Sequence, residues 1–151
     1  MTEKLITRRD FLRVASMAPF AGAFAFGLKG TRLDKAEKAR VILIRDENAL
    51  VSFKRPNPDV MQTMLDEAVA TLLDEKDPVQ AWKKLVKPSD VVGIKSNIWW
   101  PIPTPKEVEQ AIKRRLMDAG VPEEKIGIDD QGVRRNPIFQ NATVLINARP
   151  A

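Results

Sequence analysis

The chain of 151 residues contains no cysteine and no histidine. Disulfides, thiolate-bound zinc, iron–sulfur clusters, cysteine nucleophiles and Ser-His-Asp triads are therefore excluded within this polypeptide, and the thiolate and imidazole ligands of haem are missing too. Any metal would need oxygen ligands, which favours hard cations such as magnesium or calcium; no cofactor is otherwise specified. Net charge is also scarce where it would matter. The formal charge is +5, but residues 1–40 hold nine Lys and Arg against four Asp and Glu, and residues 41–151 hold 16 against 16. The basic balance belongs to the first segment, so the body gives no support for a nucleic-acid partner. Long apolar runs are absent as well. Val14 to Leu28 is too short and too rich in Ala and Gly to read as a confident membrane span.

That run has a specific neighbour. Thr7-Arg8-Arg9-Asp10-Phe11-Leu12-Arg13 resembles the twin-arginine motif of bacterial export signals, with Arg8, Arg9, Phe11 and Leu12 as its carriers. Ala21-Gly22-Ala23 and Ala23-Phe24-Ala25 are both A-x-A cleavage candidates, and an uncleaved membrane anchor is an alternative. The motif implies recognition by the twin-arginine translocase and export of an already folded protein, to the periplasm or cell surface. An ordinary basic amphipathic N-terminus is the competing reading. The expected organisation is a signal over residues 1–28, a charged linker over 29–40 and an α/β domain over 41–151.

Within that domain Val41 to Ile44 reads as a first strand. Asn57 followed by Pro58 predicts a helix start, and Val60, Met61, Met64, Leu65, Ala68, Val69, Leu72 and Leu73 recur at helical spacing. Asp77-Pro78 opens a shorter helix with Val79, Trp82, Leu85 and Val86, stopped by Lys87-Pro88. The central unit runs from Lys87 to Asp130. Val91, Val92 and Ile94 form a short apolar run suited to a strand covered on both faces, and alternation puts Lys95 and Asn97 on one face at its carboxyl end. Thr104 to Glu107 reads as a capping box with Pro105 at the first helical position. Val108, Ala111, Ile112, Leu116 and Ala119 form the helix's apolar stripe, and Gly120 ends it. Lys125 to Asp130 is the next strand, and Ala142 to Ile146, with Asn147 at its end, the last. The loop from Gln131 to Pro137 joins them.

The fold class that follows is α/β: an open, mostly parallel sheet of three to four strands with βαβ crossover helices. With no covering helix after the last strand, the sheet is expected to be the N-terminal part of a longer domain. Parallel strands bring their carboxyl ends to one edge, where ligands of open α/β sheets bind. That edge would carry Lys95, Asn97, Thr104, Asp129 and Asp130. Lys95 could hold an anion together with the start of the helix, or pair with Asp129 or Asp130. One of Asp129 and Asp130 could ligate a hard cation with Asn97 and Asn147, or cap the following turn. Trp99 and Trp100 could form a lid over the crevice, with burial against the sheet or a further part of the protein as the alternative. Lys113-Arg114-Arg115 and Arg134-Arg135 read as solvated faces.

The strand KPSDVVGIKSN, the Pro-rich loop into a helix, DAGVPEEKIGIDD and ATVLIN together resemble the bacterial and archaeal family called domain of unknown function three-six-two. Its pattern of Lys-x-Asn, Thr/Pro loop, A-G turn and strand-ending Asp is matched by Lys95 and Asn97, Thr104 and Pro105, Ala119-Gly120, and Asp129 or Asp130. The resemblance spans about Arg40 to Asn147. Members usually continue into a Lys-x-His-type segment, and some carry ferredoxin-like cysteine clusters; this chain has neither. The resemblance implies no established reaction. The leading expectation is an exported protein that binds a small anionic ligand or cofactor at the carboxyl edge, with enzymatic activity left open. The alternatives are an accessory subunit of an exported redox complex, partnered by a larger subunit, and a fragment that needs its own missing C-terminal half.

Overall fold

Three short apolar runs, each ending in a polar residue, pair as parallel strands. The computed structural model describes residues 39–53 and 55–149. The export motif of Arg8, Arg9, Phe11 and Leu12 lies outside them. The parallel strands are β3 (Val92–Lys95), β4 (Ile126–Asp129) and β5 (Val144–Asn147), in the order β4-β3-β5. Before them come β1 (Leu50–Ser52) and β2 (Arg55–Pro56), which form an antiparallel hairpin, and helices α1 (Pro58–Leu72) and α2 (Pro78–Leu85). Helix α3 (Lys106–Asp118) joins β3 to β4, and a single-turn helix, α4 (Pro137–Gln140), lies between β4 and β5.

The register aligns the strands in rows. Val92, Ile126 and Val144 form one row, and Ile94, Ile128 and Ile146 the second beyond it on the same face. That face meets Leu116, Ile112 and Ala119 of the α3 end, with Trp82 and Val86 of the α2 end, in the main core. Val92, Ile94 and Leu116 are wholly buried. Truncating Leu116 to Ala would cost about 2–5 kcal/mol. The alternating rows face the other side. There Gly93 and Gly127 stand next to each other, and α4 lies on them. A Cβ at Gly93 would stand 2.8 Å from Phe139 Cδ1, and one at Gly127 2.9 Å from Ile138 Cγ2. Only the missing side chains let this short helix approach so closely.

Helix ends follow local chemistry. Asn57 accepts from the Asp59 and Val60 amides, Asp77 from Gln80, and each is followed by proline in the first turn. Helix α3 stops where Ala119 gives way to Gly120 at φ +103°, and the Val121 amide returns to the Leu116 carbonyl.

Three expectations need correcting. Val41 to Ile44 is not a strand: Val41 and Leu43 are exposed, and among the described residues no strand pairs with the run. The additional strands are instead the hairpin at Leu50 to Pro56. Thr104 does not cap α3; Pro105 occupies the cap position without a side-chain bond, because the Thr104 hydroxyl is committed elsewhere. The expected loop after Asp130 holds and leads into α4, capped by Asn136. Arg115 is no solvated charge: it binds Asp66 of α1 through Nε at 2.7 Å and Nη2 at 2.5 Å, joining the two helices.

Candidate functional site

The fourth register row is Lys95, Asp129 and Asn147, so the three carboxyl ends do share one edge. Chain geometry then separates the two aspartates. Asp129 accepts from the Gly132 amide at 2.8 Å and from Asn136 Nδ2 at 3.1 Å, holding the turn that leads into α4. The Asn136 bond, then the Gly132 amide, hold its carboxyl below the usual carboxylate range. Asp130 turns the other way. It pairs with Lys95 Nζ and accepts from the Ile98 amide at 3.0 Å. The Lys95 bond, then the Ile98 amide, keep the Asp130 carboxyl low as well.

Asn97 and Thr104 close the loop that leaves β3. The Thr104 amide donates to the Asn97 carbonyl at 2.7 Å, and the Asn97 amide donates to Thr104 Oγ1 at 3.1 Å. Asn97 Nδ2 donates to the Ile102 carbonyl at 2.6 Å, while the Thr104 hydroxyl donates to the Ala148 carbonyl at 2.6 Å, beyond the end of β5. Both residues are buried. The five expected ligand residues are thus gathered at one edge, each with hydrogen bonds to its own chain. Ser96, one residue before Asn97, donates its hydroxyl to Glu109 of α3 on the opposite face. Sequence reasoning missed that pair, which only the phase of strand against helix could have signalled.

What these bonds support is the loop from Ile98 to Pro103. Its Ile102 amide returns to the Trp99 carbonyl at 3.1 Å. Trp99 and Trp100 are 66% and 74% exposed, so the expected burial against the sheet is corrected: the pinned base carries them outward. Between this loop and the hairpin lies a cleft of about 630 Å³, lined by Leu50, Pro56, Trp100, Ile102 and neighbouring prolines. Its size and apolar walls suit a small molecule. Arg55, Lys106 and Glu107 supply its charges. Lys106 and Glu107 also begin α3, whose cap, Pro105, offers no side-chain acceptor. Among the described residues, the amides of Lys106 and Glu107 donate to no protein group, although Glu107 and Glu109 in the first turn offset part of the positive end of the helix dipole.

The chain matches no protein-family model, no curated protein and no solved structure. The site is therefore read from its geometry. Among the described residues no group of three acidic side chains is placed to hold a metal, and the Asp129 oxygens already accept two bonds beside Asn147. The cleft can hold an apolar body and present two cationic side chains and free amides to an anionic head. Its hairpin wall left almost no signal in the sequence: Leu50, Arg55 and Pro56 belong to strands of three and two residues.

Proposed function

We propose that this chain is the α/β part of an exported binding protein that takes a small amphipathic anion at the carboxyl edge of its sheet. The observation that carries the reading is the cleft itself: apolar walls beside the uncapped start of α3, with Arg55 and Lys106 at hand. The ligand's apolar body lies against Trp100, Ile102 and Leu50. Its carboxylate, sulfonate or phosphate lies by Lys106 and the first amides of α3, where the dipole favours negative charge. Lys95, Asn97, Thr104 and Asp130 act one step back, holding the loop that forms one wall. The twin-arginine motif supports export to the periplasm or cell surface, and the order of motifs supports kinship with the domain-of-unknown-function three-six-two family.

Anilinonaphthalene sulfonate, which has an aromatic body and one anionic head, tests this directly. The intact folded chain should bind it at a single saturable site, and Arg55→Ala/Lys106→Ala should weaken it about tenfold or more. Phenylnaphthylamine, the neutral analogue, should be affected much less by those changes. Non-saturable binding, or equal loss of both probes, would refute the reading.

A second reading is favoured by the outward tryptophans: an accessory subunit that docks on a larger exported partner through Trp99 and Trp100. It requires that changing Trp99 abolish co-purification of a partner while leaving sulfonate binding intact.

A further inference from the structure

The loop from Ile98 to Pro103 has a property the cleft does not need. Its sequence, Ile-Trp-Trp-Pro-Ile-Pro, contains no charged side chain. Ile98, Trp99, Trp100 and Ile102 are all more than half exposed, and Leu50, across the cleft, extends the apolar surface onto the hairpin. Such a surface is unusual on a protein that meets only water. Its backbone is adapted too. Pro101 and Pro103 have no amide N–H, the Ile98 amide donates to Asp130, and the Ile102 amide donates to the Trp99 carbonyl. Ile98, Pro101, Ile102 and Pro103 therefore carry no donor that must find water. That lowers the cost of entering a medium of low dielectric.

The rim is basic. Arg55 and Lys106 line the adjoining cleft, Lys95 stands at the loop's base with its side chain 38% exposed, and Arg149 lies near enough to Asp130 to act on its ionisation. Against these four cations stand Glu107, Asp130 and Asp129, the register neighbour of Lys95, which leaves one positive charge over. That surplus favours an anionic surface. Tryptophan itself prefers the boundary between lipid headgroups and acyl chains, where its ring is buried and its N–H solvated. A retained Val14–Leu28 anchor would hold the body to the bilayer through residues 29–40, at most about 40 Å of chain.

We propose that the Ile98–Pro103 loop is a membrane-docking element that inserts Trp99 and its neighbours into the interfacial layer of a bilayer rich in anionic lipid. The proposal stands first on Ile98 and Trp99, which do not line the cleft; Trp100 and Ile102 are shared with it. If both hold, the cleft lies beside the bilayer, and an amphipathic anion could pass between the two without crossing water.

The chain's three tryptophans make the test specific. Trp82 is buried in the core and serves as an internal reference. The full chain is mixed with vesicles of phosphatidylcholine and phosphatidylglycerol in which the acyl chains carry bromine, and tryptophan emission is recorded. A blue shift with quenching by shallow bromines is expected, weaker in vesicles of phosphatidylcholine alone. Trp99→Phe/Trp100→Phe, which leaves only Trp82, should show no quenching. Ile98→Glu/Trp99→Glu should lose the Trp100 quenching while keeping the Trp82 emission of the folded core. This readout follows the loop itself, even where the N-terminal segment is already lipid-bound. Quenching that persists in the glutamate variant would overturn the proposal. So would tryptophans that remain accessible to acrylamide when the chain sediments with anionic vesicles. A blue shift that grows with protein concentration in the absence of lipid would overturn it in favour of a second copy. A shift produced only by a protein partner would do so in favour of the accessory reading.

Discussion

Replacing Arg115 with methionine should be the most costly single charge removal in the described body. Arg115 on α3 and Asp66 on α1 are joined by two bonds across 49 residues, and their side chains are only 20% and 13% exposed. Burial works against the guanidinium charge, but the Asp66 bond outweighs it and raises the Arg115 pKa above its ordinary value. Methionine keeps much of the apolar stem and leaves Asp66 with Gln62 Nε2, at 3.1 Å, as its remaining side-chain donor. Breaking a fully buried pair costs about 3–5 kcal/mol. Partial exposure of both groups lowers this to about 2–3 kcal/mol. With a urea m value of roughly 1.3 kcal/mol/M, the midpoint should fall by about 1.5–2.3 M. Asp66→Asn combined with Arg115→Met leaves no buried charge and still offers Gln62 an acceptor. The double variant should therefore recover about 1 kcal/mol or more relative to Arg115→Met alone. A single-variant loss under about 0.5 kcal/mol, or a double variant less stable than the single, would refute the assignment of this pair as the tie between α1 and α3.

Gly127→Ala should destabilise by about 1–3 kcal/mol, since its Cβ would meet Ile138 Cγ2 and Cβ at 2.9 and 3.1 Å; adding Ile138→Ala should offset part of the loss in a urea titration. For pH, Asp130 is the group to follow, because its carboxyl is held low by Lys95 and then by the Ile98 amide. A depressed folded-state pKa adds stability that is fully present above the unfolded value, about 3.9, and is lost as pH falls through the folded one. Acrylamide quenching of Trp99 and Trp100 should accordingly rise only below about pH 4, and Asp130→Asn should remove that step.

The parallel core was readable because Val92-Gly93-Ile94 and Ile126-Gly127-Ile128 are brief apolar runs separated by a capped, periodic helix. Asn57 and Asp77 announced their helices for the same local reason: a short acceptor before proline. What could not be read depended on partners distant in sequence. Val41 to Ile44 is apolar enough for a strand, but among the described residues no neighbouring strand completes it, and only the assembled sheet reveals that. Thr104 has the composition of a cap, yet a carbonyl 44 residues later takes its hydroxyl. Lys95, Asn97 and the aspartates were correctly expected at one edge. Whether they meet a ligand or each other depended on which way Asp130 turned after β4 ended. The cleft was missed because its hairpin wall has too few residues to show a period.

The Thr104 hydroxyl also orders events in time. A ribosome adding about 5–20 residues per second completes Thr104 some 2–9 s before Ala148 exists to accept its bond. Until then the tryptophan loop lacks one of its struts, and the sheet lacks its third strand. The nascent chain must pass those seconds with an uncharged, aromatic hexapeptide in the open, an opportunity for chaperones and a hazard for aggregation. On the proposed export of a folded chain, translocation would have to wait for β5, the third strand of the parallel sheet.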